Sequence, residues 1–483
     1  MYKRITALVL AGAMTVPLAA CKSEKEAQKS DVPTLTWLVP GDKQNDMARV
    51  TEKINEMLEE KIGAHLDLQF IDTGSYTEKI TMNMASGSSF DLCFTGYVNP
   101  YLQSVERGGY LCLDDYMKDS ALNDIIPDYA LESAKYDGKL YGIPNLQVLA
   151  NCAGLYIRED LADEYGLKTE DIKCLEDIEP FLEWVKQNHQ DVYPFRTGAY
   201  AGGLRKTEQD MQGDTFVDCA FAYTDSDGSV KVIPTYETPT FLNEPKLIRS
   251  WFEKGYIRSD VASVLDDSSE VAAGKFAVWR GSYKPGYEQE RNSKNSVKAK
   301  IIQIGEPIMS NGAGNTAMTA INKKTQYPDL AFKLLELANT DVEFYNLLCY
   351  GIEGTHYILD EDKKVSYVEN SGYFPAADWK FGNQFNAYII KDQDSDVWEK
   401  TKEFNDNAYK SKLLGFTLNT DSIRTEVAQV SKIVGQYGAF SKGSEPIENY
   451  FDNYVSDMEK AGVKKICDEV QRQVDEWLAN NKK

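Results

Sequence analysis

Three β-rich segments alternate with two helix-like stretches near the start of the chain, and this order limits the available folds more than any other feature. The first segment, TLTWLV, alternates as a strand does, and the stretch after it repeats apolar residues at helical spacing. A β-α-β-α-β order predicts an α/β lobe with a largely parallel sheet. The predicted strands cover 34–39, 65–70 and 91–95, and the predicted helices cover 46–62 and 76–85.

The loops after the first and third predicted strands are the first candidates for a binding site. Ligands of open α/β sheets gather at the carboxyl ends of the strands. The loops at 40–45 and 95–99 follow those ends directly, so we expect ligand contacts there.

The first twenty residues have the pattern of an export signal. Lys3 and Arg4 form a positive n-region, residues 5–20 are mainly apolar, and Leu-Ala-Ala before Cys21 forms a lipobox. The apolar run is shorter than the roughly 20 residues that span a bilayer. We therefore expect a signal peptide at 1–20, a lipid on Cys21, a flexible tether at 21–32, and a location on the outer face of the cytoplasmic membrane. An ordinary signal with an accidental cysteine is the alternative.

The charge balance disfavours nucleic acid and anionic lipid as partners. The chain has 53 basic and 75 acidic residues and a net charge of −22, and loss of Lys3 and Arg4 with the signal leaves −24 (51 − 75). Such a surface repels nucleic acid and anionic lipid.

The chain is also rich in tyrosine, with 29 residues, and tyrosine is a side chain that stacks on sugar rings.

Seven cysteines besides Cys21 are widely spaced and include no CxxC pair. An odd, scattered set is not a disulfide framework, so we expect buried and inert thiols. These cysteines are at positions 93, 112, 152, 174, 219, 349 and 467.

Six segments, in the same order along the chain, carry a resemblance to a known family. YDGKLYGIPNLQVLANCAGLYIREDL is similar to the first lobe crossing of extracellular solute-binding proteins of ABC importers, the maltodextrin-binding type among them. GNTAMTAINKKTQYPDLAFKLLELAN resembles their second crossing, and FDL and AAGKFAVWRGSYKPG resemble strands that lead into ligand loops. GIEGTHY and DWKFGNQF resemble the C-terminal domain of a subfamily common in Firmicutes. The segments lie at 90–92, 136–161, 272–286, 314–339, 351–357 and 378–385.

The resemblance implies a two-lobed, periplasmic-binding-protein-like α/β fold with discontinuous lobes that close about a hinge. It implies that lobe 1 covers 33–150 and 316–352 and that lobe 2 covers 151–315 and 353–483. It further implies a monomer that captures an oligosaccharide and presents it to ABC permease subunits, with no enzymatic activity, cofactor or metal.

Ten residues on four loops are the candidate sugar contacts. Sugars need apolar ring faces for their C–H patches and planar polar groups for adjacent hydroxyls, and each loop offers such groups. In the resembled maltodextrin binders an aromatic residue after a glycine turn stacks on the sugar, and Tyr283 matches that position. Core packing or a surface loop is the alternative for each residue. The candidates are Asp42, Gln44 and Asn45; Thr95 and Tyr97; Trp279 and Tyr283; and Trp379, Asn383 and Gln384.

Motifs for catalysis or for metal and nucleotide binding are weak. His65, His189 and His356 stand in no HExxH or GxSxG context. The GAGNTA run at 312–317 has the G-x-G-x-x-A pattern, but the residues after it read as a strand.

The acidic run at 392–396 begins like a calcium loop. Asp392, Asp394 and Asp396 alternate, yet Val397 stands where the sharp turn needs glycine, so a helix start or a solvated turn is favoured.

Two other functions stay open. One is an anchored glycosidase. The other is a binder of a peptide or an amino-acid derivative, which Arg280 beside Trp279 would suit.

Overall fold

The computed structural model describes residues 32–87, 90–197 and 211–481, so the predicted signal peptide, Cys21 and nearly all of the tether lie outside the described residues. The strands, in chain order, are β1 Thr34–Pro40, β2 His65–Ile71, β3 Leu92–Gly96, β4 Ile143–Pro144, β5 Asn151–Arg158, β6 Tyr193–Phe195, β7 Gly213–Phe216, β8 Ala220–Thr224, β9 Val230–Pro234, β10 Phe276–Ser282, β11 Ala299–Met309, β12 Ala317–Ile321, β13 Tyr357–Leu359, β14 Val365–Tyr367 and β15 Tyr409–Lys410.

Helices connect and cover these strands. The α-helices are Met47–Ile62, Thr73–Ser86, Tyr101–Glu106, Asp114–Met117, Leu122–Ile125, Asp128–Ala134, Glu159–Tyr165, Glu179–Asn188, Asn243–Glu253, Ser268–Ala272, Tyr287–Lys294, Pro328–Thr340, Val342–Tyr350, Val397–Asn407, Arg424–Gln436, Ala439–Lys442, Ile447–Ala461 and Val463–Asn480. Short 3-10 helices are Thr169–Asp171, Leu175–Ile178, Thr235–Glu237, Val261–Ser263, Ala313–Asn315, Asp378–Lys380, Gln384–Asn386 and Asp421–Ile423. Within the described ranges, none of the helices has the length and apolar character needed to cross a bilayer.

The first sheet has the order β2-β1-β3-β12-β4 and confirms the predicted β-α-β-α-β unit. β1 pairs in parallel with β2 and β3, while β12 runs antiparallel to β3 and β4. The helix Met47–Ile62 buries Val50, Ile54 and Leu58, which the i, i+4 spacing places on one face. Because β1 and β3 are parallel, their carboxyl ends at Pro40 and Gly96 meet at one edge of the sheet.

The second sheet has the order β15-β11-β5-β10-β6, and β5 runs antiparallel to both β10 and β11. The strand alternation separates two cores. Leu155, Ile157 and Val278 pack with one cluster of buried residues, whereas Tyr156 and Trp279 belong to a smaller cluster.

A third unit consists of the antiparallel sheet β7-β8-β9 and the C-terminal helices, which share a hydrophobic core. The side chain of Gln471 on the last helix binds β9 as a neighbouring strand would. It accepts a hydrogen bond from the Val232 N–H at 2.8 Å and donates one to the Val230 carbonyl at 3.0 Å.

Asp214 on β7 joins this third unit to the second sheet. Its carboxylate accepts hydrogen bonds from the Asn311 N–H, just after β11, at 2.7 Å and from the Ser411 hydroxyl, just after β15. Burial raises the pKa of Asp214 to about 6, although both hydrogen bonds act to lower it.

Residues 357–387 pack with the first core. Tyr357, Val365 and Phe381 belong to the same hydrophobic cluster as Trp37 on β1, and the Phe381 ring meets the Trp37 ring edge to face at 5.7 Å. The predicted division assigned all of 353–483 to lobe 2, and this segment differs from it because its apolar side chains are buried by lobe 1. The other boundaries stay a prediction.

The seven cysteines in the described ranges are free thiols. Five are buried, and Cys112 and Cys174 are partly exposed. Burial raises the pKa of both Cys93 and Cys152 to about 12, so these thiols stay protonated and unreactive. The expectation of buried thiols is thus confirmed for five of the seven.

Candidate ligand-binding site

Tyr97 and Trp379 form an aromatic pair at the carboxyl edge of the first sheet. Tyr97 directly follows β3, and Trp379 lies in the short helix Asp378–Lys380. Their ring centroids are 5.7 Å apart with an interplanar angle of 36°, and the buried Phe94 ring meets both rings edge on. The Tyr97 side chain is 64% exposed, which is unusual for a large aromatic residue. The structure therefore brings together two candidates that are far apart in the sequence.

Lys380 places a cation beneath this aromatic pair. Its ammonium lies 4.9 Å from the Trp379 ring centroid and donates a hydrogen bond to the Pro40 carbonyl at 2.7 Å. Burial lowers the pKa of Lys380, while the nearby carboxylates of Asp378 and Asp42 act to raise it. Asp42 itself is exposed. The loop after β1 and the Trp379 helix thus form one polar and aromatic surface.

Gln44 is buried and positions a second aromatic group. Its side-chain oxygen accepts a hydrogen bond from the Phe374 N–H at 2.7 Å, and its amide group donates to the Asp42 carbonyl at 2.8 Å. The Phe374 ring is 43% exposed and meets the Tyr367 ring edge on at 4.4 Å. Sequence reasoning missed Phe374 and Tyr367. The available signal for Phe374 was the SGYFP run at 371–375, where turn residues flank two aromatics.

Residues after β10, in the predicted second lobe, include two further polar and aromatic side chains, Tyr283 and Lys284. Lys284 forms an ion pair with Glu290 at 2.7 Å. Burial acts to lower the pKa of Lys284, but the charges of Glu290 and Asp378 raise it further, so its pKa lies above the ordinary value. The Asp378 charge acts on Lys284, so the loop after β10 lies near the short helix that carries Trp379. Tyr283 is half-buried beside them, with its ring 5.9 Å from that of Phe404.

Four other candidates have internal partners: Thr95, Trp279, Asn383 and Gln384. Trp279 is only 5% exposed, its ring stacks on Tyr156 at 5.8 Å, and the Arg291 guanidinium covers it at 5.1 Å. These contacts are core packing, because Trp279 lies on the face of β10 that the smaller cluster buries. The fully buried Thr95 hydroxyl donates to the Asn99 carbonyl at 2.8 Å.

The amide candidates near Trp379 support the backbone around it. Asn383 accepts a hydrogen bond from the Phe385 N–H at 3.1 Å. The buried Gln384 donates to the Asp378 carboxylate at 2.6 Å and so fixes the direction of that carboxylate. Asn45 is exposed on the loop after β1. We therefore regard Gln384 as a positioning residue.

Arg280 was the reason to keep a peptide as an alternative ligand, and this residue is ion-paired inside the protein. Its guanidinium forms an ion pair with the Glu244 carboxylate, and both side chains are largely buried. A charge that is already neutralised in this way is a poor receptor for an acidic ligand group.

The described residues contain no group of three or more His, Cys, Asp or Glu side chains arranged to hold a metal ion. In the acidic run, the Lys400 ammonium lies 2.9 Å from both the Asp394 and the Asp396 carboxylates. It therefore occupies the position that a bound metal cation would take between them. Asp396 precedes the helix Val397–Asn407, which agrees with the expected helix start.

The histidines and the glycine-rich run also have structural roles. His356 is fully buried; its Nδ1 accepts a hydrogen bond from the Ile352 N–H at 2.9 Å, so the proton on Nε2 points to Asp46 at 3.0 Å. His65 and His189 lie beside the surface carboxylates of Glu59 and Glu164. The 312–317 run leads into β12 rather than into a helix.

Two relatives are similar to most of the chain. A carbohydrate ABC transporter substrate-binding protein of Streptococcus pneumoniae serotype 4 is 26% identical over 97% of both chains. The polygalacturonan/rhamnogalacturonan-binding protein YtcQ of Bacillus subtilis is 22% identical over 78% of both chains.

A solved structure is similar to the whole fold. The crystal structure of the N-glycan transport solute binding protein NgtS from Streptococcus pneumoniae superposes with a TM-score of 0.83 at 25% identity, covering 93% of this chain and 100% of that chain. Crystal structures of NgtS in complex with Man1GlcNAc and with Man5GlcNAc superpose with TM-scores of 0.72 and 0.69 at 24% identity, covering 92% and 93% of this chain and 100% of each of theirs.

Family profiles match two regions of the sequence. A domain of unknown function (DUF3502) matches residues 412–479, the region of the C-terminal helices. The profile described as bacterial extracellular solute-binding protein matches residues 41–342, which is more than half of the chain. The chain therefore belongs to the bacterial extracellular solute-binding protein family.

Proposed function

We propose that this protein captures an oligosaccharide between its two lobes and delivers it to the permease of an ABC importer. The observation that carries the proposal is the exposed Tyr97 ring beside Trp379 at the carboxyl edge of the first sheet. Membership of a solute-binding family agrees with the expectation that the chain is not an enzyme.

The chemistry of this surface suits a sugar. Aromatic faces pack against the C–H patches of a sugar ring, and carboxylates and ammonium groups bind its hydroxyls. Tyr97 and Trp379 supply the faces, and Asp42, Asp378 and Lys284 supply the polar groups. Phe374 offers a further exposed ring beside the loop after β1.

The relatives support a sugar ligand, and the solved structures support closure about a hinge. One relative is named as a carbohydrate ABC transporter protein, and NgtS has been crystallised with Man1GlcNAc and Man5GlcNAc. The TM-score of this chain is 0.83 against one crystal structure of NgtS and 0.69 against its complex with Man5GlcNAc. A rotation of one lobe against the other on binding would produce such a difference.

The export signal in the sequence supports a proposal for the cellular arrangement. We propose that Cys21 carries a lipid that holds the protein at the outer face of the cytoplasmic membrane, and that the protein acts as a monomer. Other chains would supply the permease and the ATPase of the importer.

A thermal-shift experiment on residues 31–483 tests the proposal. The probes are Man5GlcNAc, Man1GlcNAc, oligogalacturonates and dipeptides. A glycan present at 100 times its dissociation constant adds roughly 2.7 kcal/mol to the stability, so the melting temperature rises by a few degrees. The glycan should remain intact over hours. A rise with dipeptides only, or breakdown of the glycan, would refute the proposal.

A further inference from the structure

A large polar cavity opens beside Tyr97, and Trp379 does not line it. Its volume is about 890 Å³, within the range of roughly 300–1,000 Å³ typical of small-molecule sites. One wall belongs to the first lobe and includes Gln103 and Glu106 on the helix after β3. The opposite wall belongs to the C-terminal domain, which we define as residues 412–479, and includes Asp421 and Arg424. The proposed sugar surface and the C-terminal domain thus border the same space.

The C-terminal wall is held in a fixed shape. The Asn419 N–H donates to the Gln473 side chain at 2.9 Å, and the Gln473 amide donates back to the Asn419 carbonyl at 2.8 Å. The Asn419 side chain accepts from the Asp421 N–H at 2.8 Å. These bonds fix the loop to the helix Val463–Asn480, so its side chains are placed before a ligand arrives.

The cavity walls carry both signs of charge. Glu106 and Asp421 contribute two carboxylates, and Arg107 and Arg424 contribute two guanidinium groups. Asp421 and Arg424 form an ion pair at 2.6 Å. A balanced set of carboxylates and guanidiniums binds hydroxyl groups without favouring an ion, and the net charge of −22 repels acidic glycans.

A second cavity continues the first. Its volume is about 440 Å³, and it shares Glu106, Tyr136 and Leu418 with the larger one. Trp477 lines it and packs edge on against Phe416 at 6.0 Å. The path from Tyr97 to Trp477 therefore begins and ends at an aromatic side chain.

We infer that the C-terminal domain forms an outer subsite that binds the distal units of a long, neutral oligosaccharide whose first units lie on Tyr97 and Trp379. This inference rests on the proposed function. It assigns Asp421 and Arg424 to ligand binding and gives the domain at 412–479 a role in selecting ligand length.

The test compares long and short glycans on a charge-neutral double variant. Asp421→Ala with Arg424→Ala removes an exposed ion pair on the C-terminal wall. Asp115→Ala with Lys118→Ala is the matched control, because that pair has the same i, i+3 spacing, the same 2.6 Å distance and similar exposure, outside both cavities. Gln103→Ala tests the opposite wall separately.

Isothermal titration calorimetry with Man5GlcNAc and Man1GlcNAc measures the effect. Loss of charge-assisted hydrogen bonds should weaken Man5GlcNAc binding by about tenfold. Man1GlcNAc binding should change by less than about twofold, which lies within the scatter of surface substitutions. Gln103→Ala should show the same selectivity, and the control should bind both glycans as the wild type does.

The outcomes separate the two proposals. Equal weakening of both glycans, or no change in either, overturns the outer subsite and leaves the proposed function in place. Wild-type protein that binds neither these two glycans nor any other glycan of the thermal-shift experiment overturns both. An unchanged melting temperature of the unliganded variants excludes a folding defect as the cause.

Discussion

The side-chain oxygen of Gln44 accepts a hydrogen bond from the Phe374 N–H at 2.7 Å and so joins two loops that are 330 residues apart in the sequence. Gln44→Ala should leave this partly buried N–H without a partner and cost about 1–3 kcal/mol of unfolding free energy. Urea unfolding measures the loss. Asn45→Ala, at the exposed neighbour, should be within about 0.5 kcal/mol of the wild type. Equal effects of the two substitutions would contradict the role given to Gln44.

Tyr97 should matter for binding and not for folding. Tyr97→Ala removes one ring of the aromatic pair, and an aromatic contact contributes about 0.5–1.5 kcal/mol, so glycan affinity should fall roughly threefold to tenfold. Tyr97→Phe keeps the ring and should retain most of the affinity. Tyr327→Ala, which removes another exposed tyrosine, is the control for titration calorimetry. Unchanged affinity in Tyr97→Ala would remove Tyr97 from the site.

Trp279 should show the opposite behaviour. Its ring is buried against Tyr156, so Trp279→Ala should destabilise the protein by about 3–5 kcal/mol through lost packing and the cavity left behind. Urea unfolding followed by circular dichroism measures this loss. The fraction that remains folded should bind glycan with wild-type affinity. A stable variant with weakened binding would restore Trp279 as a ligand contact.

The contrast between Tyr97 and Trp279 shows what the sequence could predict. Tyr97 directly follows β3, where the strand pattern placed it, whereas Trp279 lies inside β10 rather than on the predicted loop. The pattern also predicted the five elements of the β-α-β-α-β unit to within three residues of their bounds. Which face of β10 carries Trp279 depends on the pairing of β10 with β5, and that pairing is not local in sequence. Phe374 was missed for a related reason, since only the distant Gln44 places it beside the site.

Asp214 should make the stability depend on pH. Its pKa is raised from 3.8 to about 6 in the folded state, so its stabilising contribution is complete below about pH 4 and is lost as the pH rises through 6. At 1.36 kcal/mol for each pKa unit, the loss is about 3 kcal/mol.

Asp214→Asn keeps the shape and can still bind the Asn311 N–H and the Ser411 hydroxyl. Urea unfolding should therefore find this variant more stable than the wild type at pH 7, with a difference that shrinks towards pH 4. A difference that stays constant between pH 4 and pH 7 would exclude Asp214 as the titrating group.

Calcium should have no effect on the acidic run at 392–396. Lys400 already lies between Asp394 and Asp396, and its charge would oppose a cation at the same place. The melting temperature should therefore be the same in millimolar calcium and in EDTA. A calcium-dependent rise of several degrees that disappears in Asp394→Asn would show that the lysine is displaced.

Chemical labelling of the buried thiols would report local unfolding of the protein. Cys93 and Cys349 lie in the first core, Cys152 lies on β5, and Cys219 and Cys467 lie in the core of the third unit. An alkylating reagent can reach each of them only after the surrounding unit has opened, so the order of labelling would rank the units by local stability. Outside the cell, oxidants would likewise modify these thiols only in molecules that had already opened. Oxidation would therefore affect mainly the least stable molecules.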